Sequence, residues 1–517
     1  MTHITDAHSS DATAKQSELS PAGHNVFDLL VVGGGINGAG IAADAAGRGL
    51  SVVLCEKSDL GSATSSASSK LIHGGLRYLE TWQFRLVRES LAEREVLLRV
   101  APHIVSPMRF RLPHHAALRP LWMIRAGLFL YDHLSKRVTL PASTGLRFTQ
   151  QDALLPGFTR GFEYSDCWVD DARLVVLNAM QAQDHGATIL TRTQCEAITP
   201  AAAGSATIWI ARLRDTSTGE VRHVHARCVV NAAGPWVSSL GRELQPKSAR
   251  EQVRLVKGSH LVVPRLHGGE QAYLLQNADG RVVFVIPYED QYSLIGTTEQ
   301  EYQGDPSRAT ISEQEIDYLL GVVARYFKNV PDKSQVKYHF AGVRPLMDDE
   351  TESASKASRD YTLTLDELPA PVLSVYGGKI TTYRKLAESA MAKLHKIFPR
   401  MKPAWTATSA LPGGDFPSRS ELQAQLMRQY PWLDQTLVQA WVKRYGTLTH
   451  KLLAGASRHE DLGRWIGPGL YECEVRYLYH HEWARTSADI LWRRTKLGLG
   501  FSAAEQALLE DVLAGLR

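Results

Sequence analysis

The chain has 517 residues, 44% of them hydrophobic and 22% charged, with a formal net charge of +4. That length exceeds one ordinary core and calls for two or three domains, and the composition excludes wholesale disorder. So small a net charge, with no long basic run, excludes nucleic acid as the main partner. The five cysteines are odd in number and form no C-x-x-C pair, which excludes a disulfide framework and a structural zinc and fits a reducing compartment. The histidine pairs His114–His115 and His480–His481 lack metal-ligand spacing, so no metal is expected.

Residues 1–25 are polar, without the apolar centre of a signal peptide, and read as a disordered tail. The next segment, "FDLLVVGGGINGAGIAADAAGRGLSVVLCE", reads as strand, glycine turn, alanine-rich helix ended by Gly49, and second strand: a βαβ unit. Residues 82–103 have a helical apolar face at Phe84, Val87, Leu91, Val96 and Leu98, with Pro102 at its end. No window reaches about 18 uninterrupted apolar residues, so none is read as membrane-spanning. The nearest is "PLWMIRAGLFLYDHLSKR", residues 120–137. As a helix it either packs on the protein's own core or lies in a membrane interface with Trp122, Phe129 and Tyr131 at headgroup depth.

Further on, "HVHARCVVNAAGPW" reads as a buried strand entering a tight turn, and "RLVKGSHLVVP" and "GRVVFVIPYEDQYSLIGTTE" as antiparallel strands. "SEQEIDYLLGVVARYF" is an amphipathic helix opened by a Ser312–Glu315 capping box. "PVLSVYGGKITTYRKLAESAMAKLHKIF" is again strand, glycine turn and helix, and beyond about residue 400 the pattern is helical with no strong strand. The fold class is therefore α/β, mixed with antiparallel sheet. The pieces 26–110, 165–245 and 340–398 are expected to form one discontinuous nucleotide-binding domain, 111–164 and 246–339 a second domain, and 399–517 a helical one.

Gly33, Gly34, Gly35, Ile36, Asn37 and Gly38 fit G-x-G-x-x-G, with Glu56 at the end of the second strand. The glycines permit a tight turn, backbone approach to a pyrophosphate and close helix packing. The acid accepts ribose hydroxyls and disfavours a 2′-phosphate, which leaves NAD or FAD. "KSDLGSATSSASSK" follows. Thr64, Ser65 and Ser66 there supply donors for a flavin diphosphate, or form a flexible serine loop. "LIHGGLRYLE" then sets His73, Gly74, Gly75, Arg77 and Tyr78 together, which is not linker composition. Ala233 and Gly234 sit at a strand end, and Arg344 stands in "AGVRPL". Gly378, Lys379, Ile380 and Thr381 precede a helix, a second anion or ring-oxygen site. His260, just before an apolar strand, fits a structural role as well as a catalytic one.

"VVGGGINGAGIAADAAGRGLSV", "SSASSKLIHGGLRYLE", "FRLPHH", "GFEYSDCWVDDARL", "KGSH", "GTTE", "GVRPL", "GGKITTYRKLAE", "LPGGDF" and "LWRRTKLGLG" together resemble the aerobic, FAD-linked glycerol-3-phosphate dehydrogenases of bacteria, from about residue 26 to the C-terminus. The resemblance implies a Rossmann-like FAD-binding domain of the glycine/D-amino-acid oxidase type, an antiparallel substrate domain and a helical C-terminal cap domain. It implies oxidation of sn-glycerol 3-phosphate to dihydroxyacetone phosphate, electrons passed to a membrane quinone, a peripheral place on the cytoplasmic face of the cell membrane, and a homodimer. Lys57 and Ser69 join the residues expected at FAD, with His73, Gly74 and Gly75 on the flavin side. For the substrate, Arg77 and Tyr78 are expected at the phosphate, Arg344 near the C2 oxygen, His260 as base, and Lys379 with Thr381 near flavin or phosphate. Rival readings are a glycerol-3-phosphate oxidase that gives electrons to O₂, an amine or amino-acid oxidase of the same fold, and a catalytically dead membrane-bound scaffold. The docking surface is expected either in 120–137 or in basic residues such as those of "LWRRTK".

Overall fold

Leu29, Leu30 and Val31 have no exposed surface on either face, as a strand in a covered parallel sheet must. They belong to β1 (Phe27–Val32), which feeds α1 (Ile36–Gly47) and returns as β2 (Val52–Cys55) parallel to it. Gly49, at φ +90°, ends the helix turn as expected. The computed structural model describes residues 26–115, 119–244, 253–347 and 359–517, so the expected tail at 1–25 lies outside the described residues.

The next elements are α2 (Phe84–Val100), β3 (Val105–His114), α3 (Leu121–His133), β4 (Arg160–Val169), α4 (Asp171–Asp184), β5 (Thr188–Leu190) and β6 (Val221–Asn231). They are followed by β7 (Val253–Pro264), β8 (Ala272–Gln276), β9 (Val282–Tyr288), β10 (Tyr292–Gly296), α5 (Glu313–Ala324), β11 (Tyr338–Met347), β12 (Tyr361–Asp366), β13 (Val372–Gly377) and α6 (Tyr383–Leu394). One sheet runs β12-β13-β6-β1-β2-β5, parallel from β13 to β5, with α1 packed against α4 and α6. The second sheet is mainly antiparallel and contains β7, β10, β9, β8, β3 and β4 in that order, with β11 paired to β7. α5 covers one face of this sheet, and α2 and α3 cover the other. The capping box that opens α5 forms as expected.

The expected boundaries at 110, 165 and 340 cut through β3, β4 and β11, which all belong to the second sheet, as does the short strand Leu71–Ile72. After residue 400 the chain is helical except for one hairpin, Trp465–Gly467 with Leu470–Tyr471, which the helical pattern had not shown. This C-terminal part shares a single hydrophobic cluster with the parallel sheet, from Leu29 to Leu513.

Two expectations about the surface are corrected. In α3, Ile124, Leu128 and Tyr131 face inward while Trp122 and Phe129 stand 70% and 63% exposed, so Tyr131 is not an interfacial aromatic. The basic residues of "LWRRTK" are not a docking surface either. Arg494 is fully buried, with Nη2 on Asp59 Oδ1 at 2.8 Å, and Lys496 Nζ lies 2.6 Å from Asp170 Oδ1. Carboxylates far away in sequence had already claimed these cations. Among the described residues no helix is long and apolar enough to cross a membrane.

A Cβ on Gly38 would lie 1.9 Å from the Gly33 carbonyl oxygen, with little room for α1 to withdraw. Gly38→Ala is expected to cost about 1–3 kcal/mol and to lower Tm by several degrees in a thermal melt. An unchanged Tm would refute this packing.

Candidate active site

The fingerprint folds around close backbone approaches. Gly33, at φ +115°, would set a Cβ 2.4 Å from the Ala232 carbonyl oxygen, so only glycine fits against the end of β6. Gly35 caps α1 without a side chain, and the Ser65 hydroxyl accepts from Ile36 N at 3.0 Å. Glu56 accepts from Gly34 N at 2.7 Å and from Ser58 N at 2.9 Å, which fixes its carboxylate at the tip of β2. Burial pushes that carboxyl up, against these two N–H bonds. The serine-rich segment is an ordered turn: the Thr64 hydroxyl donates to the Val343 carbonyl at 2.6 Å.

The second cluster forms around "LIHGG". Gly74 N donates to Asp166 Oδ1 at 3.2 Å, and the same carboxylate takes Arg94 Nη1 at 2.6 Å and the Tyr131 hydroxyl at 2.8 Å. A Cβ on Gly74 would fall 2.5 Å from Leu91 Cδ2. Gly75, at φ +79°, then swings the chain into the turn that carries Arg77 and Tyr78. The His73 carbonyl accepts from Lys379 Nζ at 3.0 Å, so "HGG" and "GGKIT" meet although 306 residues separate the partners.

Two cavities, of about 660 and 310 Å³, share Gly35, Thr64, Ser65 and Ala67 in their walls. Gly33, Glu56, Lys57, Ser66, Ala233 and Gly234 line the larger one. Ile36, Asn37, Ser69, His73, Gly75, Arg77, Tyr78, Arg344, Gly378, Lys379 and Ile380 line the smaller one. Gly34, Gly38, Gly74 and Thr381 line neither and act as support. Thr381, expected at the substrate, is fully buried and accepts from His73 N at 3.3 Å. His260 is likewise fully buried and off both walls. Its ring stacks on Phe340 at 4.9 Å, and Nε2 meets the wall only through Ser69 Oγ at 2.8 Å.

Two charged residues of the smaller cavity's wall escaped the sequence reading. Arg359 Nη2 lies 2.5 Å from Glu299 Oε1, and Arg77 Nη1 lies 3.5 Å from Glu299 Oε2. Glu299 closes the quoted "GTTE", whereas nothing around Arg359 forms a motif. The smaller cavity thus carries four cations, Arg77, Arg344, Arg359 and Lys379, against one carboxylate. Burial, with Arg359 close by, brings Arg344 down to about 10. Burial brings Lys379 down to about 7, against the pull of Asp166. Burial holds the imidazole of His73 well below its usual value, with Lys379 adding to the effect, and holds that of His260 low with Arg344 adding. Both are therefore neutral near pH 7.

A parallel sheet with a glycine fingerprint and a ribose-type acid, joined to an antiparallel sheet over a cationic cavity, defines a dinucleotide-dependent oxidoreductase. A family model described as FAD dependent oxidoreductase matches residues 28–384, and one described as the C-terminal domain of alpha-glycerophosphate oxidase matches residues 404–516. The chain belongs to the FAD-dependent oxidoreductase family, and its cofactor is FAD. It is 56% identical to a glycerol-3-phosphate dehydrogenase of Pseudomonas aeruginosa over 94% of this chain and 95% of that one. It is 52% identical to a D-erythritol 1-phosphate dehydrogenase of Brucella abortus over 93% and 96%. Among solved structures, the glycerol-3-phosphate dehydrogenase from Bacillus halodurans complexed with FAD matches with TM-score 0.71 and 25% identity, covering 95% of this chain and 94% of that one. The residues present suit the cofactor: the Gly33 turn leaves bare backbone, and Asn37 Oδ1 is buried without a partner among the described residues.

Proposed function

We propose that the protein oxidises sn-glycerol 3-phosphate to dihydroxyacetone phosphate and passes the electrons through FAD to a membrane quinone. The observation that carries this is the charge of the smaller cavity, four cations to one carboxylate, which suits a dianionic phosphate monoester. When bound, FAD supplies the two-electron acceptor for the hydride leaving C2. Arg77 and Tyr78 are assigned to the phosphate. Arg344, whose Nη2 donates to Thr297 Oγ1 at 3.0 Å and whose Nη1 has no partner among the described residues, is assigned to the C2 oxygen. Gly33, Gly35, Ile36, Asn37, Glu56, Lys57, Thr64–Ser66, Ser69, His73, Gly75, Ala233, Gly234 and Gly378–Ile380 are assigned to holding FAD, with Gly34, Gly38, Gly74 and Thr381 supporting them from behind the walls. The hydroxyl proton passes to the neutral His260 through Ser69 Oγ. One observation favours a second route: His73 stands on the wall itself and needs no relay.

The exposed face of α3, with Trp122, Met123 and Phe129, is our assignment for the membrane contact, beside a basic groove that includes Arg88 and Lys136. The quinone, the cytoplasmic face and a homodimer rest on the family resemblance.

Anaerobic addition of glycerol 3-phosphate is expected to bleach the visible flavin band, and Arg77→Ala to need far more substrate while keeping its flavin. No bleaching refutes the substrate. Faster bleaching by D-erythritol 1-phosphate assigns the site to the longer polyol, and stoichiometric peroxide in air without quinone assigns O₂ as acceptor. The proton route is read from single-turnover rates: His260→Ala is expected to lose about 10²–10⁴ in rate and His73→Ala much less. The reverse order selects the direct route. Lys379 is charged below about pH 7 and neutral above it, so kcat/KM for the dianion is expected to fall as pH rises through about 7. Lys379→Arg is expected to move that falling limb to higher pH. A profile identical in both proteins removes Lys379 from substrate recognition.

A further inference from the structure

One wall of the larger cavity comes from the C-terminal domain. Trp492, Arg493 and Lys496 line it beside the fingerprint and Glu56, although no sequence motif placed the cofactor near residue 490. Each is held by a residue outside that domain. The Trp492 ring stacks on Tyr338 with centroids 4.0 Å apart and planes within 12°. Arg493 Nε lies 2.5 Å from Asp59 Oδ2, and the neighbouring Arg494 takes the other oxygen at 2.8 Å. Lys496 Nζ reaches Asp170 Oδ1, which also caps α4 by accepting from Arg173 N.

Asp59 connects this wall to the dinucleotide turn. It lies in the loop after β2, where Ser58 N donates to Glu56 and Gly61 N donates to the Gly34 carbonyl at 3.0 Å. Its side chain is 2% exposed and that of Arg494 is fully buried, so water does not loosen the pair. Asp59 and Asp489 offset the charge of Arg493 and Arg494, and Asp170 that of Lys496. What the wall supplies is therefore oriented donors, an aromatic face and exclusion of water rather than net charge.

We infer that the C-terminal domain is part of the FAD site: Trp492, Arg493 and Lys496 close the cavity over the dinucleotide, with Asp59 the positioning residue for Arg493, Tyr338 for Trp492 and Asp170 for Lys496. An enzyme that retains its flavin by this wall releases it when the wall opens, while the substrate cavity across the shared seam keeps its four cations.

The test follows flavin fluorescence as the purified holoenzyme is diluted. Arg493→Gln and Trp492→Leu are each expected to raise the FAD dissociation constant about tenfold or more. With FAD saturating, KM for glycerol 3-phosphate is expected to stay within about twofold. Arg493→Lys, which keeps the charge, is expected to recover part of the loss. Far-UV circular dichroism checks folding. If Arg493→Gln does not fold, Trp492→Leu decides, because Trp492 is only half-buried and its truncation leaves no charge unpaired. Parental FAD affinity in the folded variants, even with a lowered Tm, overturns the inference, and so does an equal loss in KM. FAD release is read without substrate, so its outcome is independent of which polyol phosphate bleaches the flavin.

Discussion

Asp166 is a carboxylate held out of water, and the geometry around "LIHGG" depends on what it gathers. Burial alone pushes such a group toward its neutral form, and Arg94 opposes this most strongly. Arg94, the Tyr131 hydroxyl and Gly74 N come from α2, α3 and the "HGG" turn. Each alone is an ordinary contact. Together they fix where His73 stands, and His73 in turn receives Lys379 and Thr381 from the far end of the chain. The walls around the two cavities are thereby tied to one buried carboxylate.

The cationic cavity follows a similar economy. Four cations against one carboxylate would repel one another if left dry and empty of counter-charge. Glu299 bridges two of them, and burial lowers both Arg344 and Lys379. The proposed substrate, a dianionic phosphate, would restore the balance that the four cations leave incomplete. An oxidase for simple amines would have no use for that many positive groups.

How much of this was legible in the sequence follows from range. The βαβ fingerprint, its acid and the capping box at Ser312 depend on residues a few positions apart or on short periodicities, and they were readable. Membership of β3, β4 and β11 in the second sheet was not, because an alternating pattern does not name its partner strand. Arg359 had no local signal, and "GTTE" marked Glu299 without giving its role, since that role comes from meeting Arg359 across 60 residues. His260 was readable as unusual but not as recessed behind Ser69, because depth from a cavity wall has no sequence signature. The arginines of "LWRRTK" looked solvated because the carboxylate they share, Asp59, lies more than 400 positions earlier. Tyr131 was assigned by composition rather than by its position on the helical face, which points it at Asp166.

The parallel sheet pairs Leu29 with Cys228 and then Val229 with Val372, so its strands come from three distant parts of the chain. On a ribosome, β1 emerges long before β6, its neighbour on one side, exists to pair with it. The nucleotide-binding half therefore does not fold as an early, self-sufficient unit, as an N-terminal domain ordinarily does. β6 in turn waits for residue 372, and the helix bearing Leu513 joins the same apolar cluster only at the end of synthesis. Cofactor loading belongs to the finished polypeptide, and until then a strand with apolar residues on both faces depends on protection from its surroundings.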